Sequence, residues 1–102
     1  MELQELSTLS YNDFKEYLNQ NFNIRFETTV TLKAELTELK EFDSYSPLER
    51  KPFSMIFRTE QKTEYYPQAT FIVEHPQNGE LPIFLTPKGL DAKGMMYEAI
   101  FS

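Results

Sequence analysis

His75 is the only histidine in a chain of 102 residues that contains no cysteine. No histidine pair can therefore bind a metal, no thiol can act as nucleophile, and a zinc ribbon or disulfide staple is excluded. As a lone general base His75 would need a hydroxyl or water beside it, with carboxylates brought near in space. The flanking residues favour a structural place at a strand end, so no catalytic residue, metal or cofactor is expected. Glu35, Glu38 and Glu41, with Asp43 following, are regularly spaced acids. Calcium would require oxygens converging from a loop that a glycine turns. Interleaved with Lys33 and Lys40, these acids read instead as the solvated face of a strand. The stretch Pro87-Lys88-Gly89-Leu90-Asp91-Ala92-Lys93-Gly94 lacks the Gly-Lys-Ser/Thr ending of a phosphate loop and reads as a connection between strands.

Two constellations suit recognition better than reaction. Tyr65, Tyr66 and Pro67 form either an exposed aromatic patch, as interface anchors do, or a lid folded back over the core. Arg58 and Glu98 are charges set within otherwise apolar strands. If buried, either would be costly to leave alone, so each is expected to pair with the other or with a neighbouring opposite charge.

Ten basic and 16 acidic residues give a formal charge of −6, which repels phosphate backbones, so nucleic acid is not an expected partner. Apolar runs such as Phe71-Ile72-Val73 are far too short for a membrane helix, and no membrane partner is expected. The start Met1-Glu2-Leu3-Gln4-Glu5 lacks the basic and apolar regions of a secretory signal. The expectation is a cytoplasmic protein whose mature form is the whole chain. Forty per cent apolar and 15% aromatic residues can fill one core, and 102 residues suit a single domain spanning 1–102.

The elements follow from periodicity. Ser10 and Asp13 suggest a capping box variant, in which the Ser10 hydroxyl accepts from the Asp13 amide and the Asp13 carboxylate reaches back. Leu9 and Phe14 then occupy the staple positions. Tyr11, Phe14, Leu18 and Phe22 continue the spacing, predicting a helix over about 11–19. From Phe22 onward the period is two, predicting strands over about 22–27, 30–41, 53–59, 69–75, 81–86 and 95–101. Leu32, Leu36 and Leu39 also fit a helix; in the strand reading the slip between Leu36 and Leu39 marks a bulge. Asp43 to Lys51 and Glu60 to Gln68 read as loops. Asn78-Gly79 predicts a tight hairpin with positive φ at both residues. Pro76 and Pro82 must lie where no ladder amide is needed. Ile56, Ile72, Phe84 and Ile100 give several strands a second apolar face, so both faces are expected to be covered. The fold class is mainly β (α+β): a strongly curved antiparallel sheet or small barrel of about six strands with one N-terminal helix.

The segments Pro52-Phe53-Ser54-Met55-Ile56-Phe57-Arg58, Gln68 to Pro76 with Gly79, Ile83-Phe84-Leu85-Thr86-Pro87 and Tyr97-Glu98-Ala99-Ile100-Phe101 carry a pattern. It resembles that of an uncharacterised family of short bacterial proteins, a domain of unknown function, over about Pro52 to Ser102 and in outline before that. The resemblance implies a complete family member, and an accessory of phage-tail-like and tail-collar proteins. It carries no catalytic residues. Independently of it, Phe53, Phe57, Phe71, Phe84, Tyr97 and Phe101 are expected to fill the core.

The function these readings favour is a non-enzymatic interaction or assembly module. It would bind a protein partner, or a second copy of itself, through a strand edge or the loop carrying Tyr65, Tyr66 and Pro67. A small-ligand-binding barrel is the alternative, and a hydrolase-type enzyme using His75 a more distant one.

Overall fold

The computed structural model describes residues 9–42 and 52–101. A short helix, α1 (Asn12–Lys15), precedes β1 (Asn21–Glu27), β2 (Val30–Glu41), β3 (Phe53–Arg58), β4 (Ala69–His75), β5 (Gly79–Leu90) and β6 (Met95–Phe101). The six strands form a closed antiparallel barrel in the order β1-β2-β3-β6-β5-β4. The loop expected over Asp43 to Lys51 lies outside the described residues, as does Asp43 itself.

Alternation decides which side chains line the barrel. Phe22, Ile24 and Phe26 of β1 point inward, as do Phe53, Met55 and Phe57 of β3, Leu81, Ile83 and Leu85 of β5, and Met95, Tyr97, Ala99 and Phe101 of β6. Residues 30–41 are a strand rather than a helix, and the phase slip is a bulge: the β2–β3 register shifts between Leu36 and Glu38. Leu36 and Leu39 thereby both face β3, opposite Phe57 and Met55.

Several expectations are corrected. The helix has one turn instead of two: past Glu16 the chain turns, Asn19 takes a positive φ of 69°, and its amide bonds to the Leu36 carbonyl 2.7 Å away. That bond ties the chain to β2 and ends the helix. Phe14 and Tyr17, not Leu18, therefore face the core, and Leu18 stands in solvent. The Asp13 carboxylate does accept from the Ser10 amide at 2.7 Å, but the Ser10 hydroxyl donates to that carboxylate instead of capping the Asp13 amide. The Asp13 amide bonds to the Ser10 carbonyl.

β5 is longer than expected, beginning at Gly79 and running through Pro87 and Gly89 to Leu90. A register shift between Pro87 and Gly89 absorbs the extra residue. The hairpin before it is wider than a two-residue turn: Pro76, Gln77 and Asn78 separate the paired His75 and Gly79, and only Gly79 has positive φ, at 77°. Pro82 stands opposite Ile72 on the part of β5 that pairs with β4 alone, so the side away from β4 asks no amide of it.

Phe84 is not a core residue. With Leu81, Ile83 and Leu85 inward, period two turns it outward, where it is 52% exposed, and Ile100 on β6 is 64% exposed. The second apolar face is thus not covered by any described element. Arg58 and Glu98 both lie on this outer face but do not pair with each other. Arg58 stands opposite Glu35 and bonds to it at 3.3 Å, with Asp91 at 3.5 Å, while Glu98 takes Lys88 at 3.4 Å. Each charge uses the nearer neighbour, the second of the two arrangements expected.

Candidate functional site

The barrel has two ends, and each is closed differently. At the helix end Phe14 packs against Phe22 and Phe53, both with ring centroids 6.1 Å away, and Phe22 packs against Phe57 at 5.4 Å. His75 terminates β4 here, 4% exposed, with the rings of Phe14 and Tyr17 edge-on at 5.2 and 5.1 Å. Its Nδ1 accepts from the amides of Gln77 and Asn78, at 3.1 and 3.0 Å. That leaves Nε2 as the protonated nitrogen, which donates to the Asp13 carbonyl at 2.6 Å. Both nitrogens are spent on backbone, holding the β4–β5 turn and the helix to the barrel. A base with no free lone pair has nothing to offer a substrate.

At the other end the connection from β3 to β4 crosses the opening. Tyr66 stacks on Phe26, with centroids 4.7 Å apart and rings inclined by 9°, and Phe26 meets Phe71 and Tyr97 at 4.8 and 5.2 Å. The Tyr97 hydroxyl accepts from the Tyr66 amide at 3.0 Å and donates to Gln61 Oε1 at 2.7 Å, which also accepts from Thr59. The Tyr66 hydroxyl donates to Glu27 at 3.0 Å. Burial first, then the Glu27 carboxylate, holds the Tyr66 phenol above its usual pKa, and burial does the same for Tyr97.

Of the three residues expected as a surface, Tyr66 is the lid and Tyr65 and Pro67 are exposed, Tyr65 at 59%. Both readings of the aromatic pair are therefore realised, one per residue, because neighbours on an extended chain point opposite ways. Across from Tyr65 stands Leu90, 46% exposed. Between them lies a cavity of about 300 Å³ bordered by Pro87, Lys88, Gly89 and Met95, where the register of β5 shifts. The following turn is held by hydrogen bonds: Asp91 Oδ1 accepts from the amides of Lys93 and Gly94 at 2.8 and 2.9 Å. The Lys93 amide above all, with Gly94 and Arg58, keeps the Asp91 carboxyl below its usual pKa. Gly94 has no room for a side chain, since a Cβ there would lie 1.7 Å from the Thr59 carbonyl oxygen.

Sequence reasoning missed Thr59, Gln61 and Leu90 as parts of this end. Leu90 alone left a signal, an apolar residue stranded between two turn glycines. Among the described residues no group of three His, Asp or Glu side chains could hold a metal ion, and no helix is long and apolar enough to cross a membrane. Glu38 and Glu41 are solvent-facing on β2.

A family model described as a domain of unknown function (DUF6916) matches residues 9–101. The match takes in the helix and the first two strands as well as the segments after Pro52. No curated protein and no solved structure matches the chain.

Proposed function

The chain belongs to the DUF6916 family, and from the geometry of its loop end we propose that it is a non-enzymatic protein-interaction or assembly module. One observation carries this reading: Tyr65 and Leu90, 59% and 46% exposed, flank a single cavity at the end of the barrel. Aromatic and aliphatic side chains around a small pocket are the usual anchors of a protein interface, able to receive an apolar side chain from a partner. Commitment of both His75 nitrogens to backbone supports a non-catalytic role. The ligand-binding alternative draws less support, because aromatic plugs fill the barrel from both ends and the cavity described opens outward. A bacterial setting beside a phage-tail-like particle is part of the proposal and rests on the resemblance of the strand sequences. Placement in the cytoplasm rests on the composition.

Site-specific photocrosslinking tests it. A photoreactive phenylalanine analogue at Tyr65 is expected to yield a discrete adduct in extract of the native cells, identified by mass spectrometry and lost with Leu90→Asp. The same probe at Lys15, at the opposite end, is expected to yield none. Equal labelling from both positions, or no adduct from Tyr65, overturns the reading. Sedimentation of the purified chain at two concentrations shows whether the adduct is a second copy.

A further inference from the structure

The ladder that closes the barrel is short. β1 and β4 pair only through Asn23–Glu74, Ile24–Val73 and Arg25–Ile72. Yet β1 continues to Glu27 and β4 begins at Ala69. Beyond Arg25 each strand is paired on its far side alone, Glu27 with Val30, and Ala69, Thr70 and Phe71 with Leu85, Phe84 and Ile83. A cavity of about 580 Å³ occupies the gap, lined by Phe26 and Phe71 and rimmed by Glu27, Thr28, Ala69 and Thr70. Successive residues of a strand direct their N–H and C=O groups to alternate sides, so part of each rim presents unpaired backbone to the gap. Extended peptide is the one chemistry that satisfies such an edge along its length, by adding main-chain bonds.

The charges on the rim select among extended peptides. Arg25 is offset by Glu80 and Glu74, which lie outside the gap, and Glu27, the one described acid lining it, is exposed with its carboxylate accepting from Tyr66. No described cation other than Arg25 borders the gap. We propose that this seam receives a short extended segment of a partner protein that carries basic side chains, its backbone continuing the ladder that β1 and β4 leave unfinished. About three residues on each rim are available, some 10 Å of strand. The inference deepens the interaction reading and rests on it, adding a second contact at the same end of the barrel.

Two synthetic peptides of about six residues, a typical strand length, test it on the intact chain. Both alternate valine with a polar residue, lysine in one and glutamate in the other. In the free protein, seam-facing amides among residues 26–28 and 69–71 are expected to exchange with solvent much faster than those of Ile24 and Val73. The lysine peptide is expected to shift the backbone resonances of Glu27, Thr28, Ala69 and Thr70 and to slow that exchange. The glutamate peptide should bind about tenfold more weakly, since each exposed charge contact changes affinity by only a few-fold. Glu27→Lys, at an exposed position, should narrow or reverse the preference, while Glu27→Gln weakens the lysine peptide about threefold. Seam amides as protected as Ile24 in the free chain, resonance shifts confined elsewhere or absent, or equal binding of the two peptides would each overturn the proposal. Loss of the seam result with the Tyr65 adduct intact removes this inference alone; loss of the adduct removes the reading beneath it.

Discussion

The two ends of the barrel are plugged by the same kind of side chain and behave as different devices. At the helix end, Phe14, Tyr17 and Phe22 surround His75, whose nitrogens are used up by three backbone groups. At the loop end, Tyr66 and Tyr97 pack with Phe26 and Phe71, and hydroxyls, an amide and a carboxylate thread through the plug. The ladders also slacken there, with a bulge in β1, another in β5 and an unfinished β1–β4 seam. An apolar plug seals; a hydrogen-bonded plug seals while leaving side chains and strand edges available. The helix end is therefore built for stability, and the proposed contact with other molecules falls at the loop end.

Gly94→Ala should give the largest effect and would show how much the loop end hangs on one close approach. With the Thr59 carbonyl 1.7 Å from the new carbon, β3 and β6 must separate locally. A loss of about 3 kcal/mol or more in denaturant unfolding is expected. A loss under about 1 kcal/mol would mean that the Thr59–Gly94 junction yields freely.

Truncation of each plug sharpens the contrast. Phe14→Ala empties a fully buried site and should cost about 3–5 kcal/mol. Tyr97→Phe keeps the ring and deprives the Tyr66 amide and Gln61 of their partner, which should cost about 1–2 kcal/mol. Equal losses from the two variants would erase the distinction between the ends.

The smallest effect comes from alkali and should be confined to the loop end. Tyr66 and Tyr97 both have folded pKa values raised above 10.0. The unfolded chain thus releases those protons first. Their contribution to stability is complete below about pH 10 and is lost as pH rises through the folded values. Tyrosinate absorbance should show two phenols ionising late. Nuclear magnetic resonance should show the amide of Tyr66 responding before that of His75. Simultaneous loss of both ends would argue that the plugs are not independent.

The strands were legible in the sequence because burial alternates with period two, and the bulge in β2 because that alternation slips between Leu36 and Leu39. The helix was overread: Tyr11, Phe14 and Leu18 fit a stripe, but a backbone bond from Asn19 to β2 is tertiary and leaves no local trace. Phe84 has the phase the sequence indicates, on the face opposite Ile83 and Leu85, but that face was expected to be covered and Phe84 is exposed on it. The partners of Arg58 and Glu98 depended on the register between paired strands, which bulges in β2 and β5 shift. The seam was hidden for the same reason. Tyr65 and Tyr66 could have been divided by alternation alone, one inward and one outward, but alternation does not say which.

The three-pair ladder between β1 and β4 has a consequence for how the chain folds. β1 and β2 are joined by a two-residue turn, and β4 and β5 by another tight connection, so these hairpins can form early. Bringing Asn23 to Glu74 closes a loop of about half the chain for the least reward, so closure of the ring comes late. Until then the sheet is an open ribbon with two raw margins, a template for joining the ribbon of another molecule. Arg25 stands on the β1 margin and Glu74 on the β4 margin, with Glu80 beside it on β5. Two like ribbons meeting acid to acid are repelled, whereas the two margins of one ribbon bring the arginine between the acids. The same three charges favour β1 meeting β4 over the pairing of like margins.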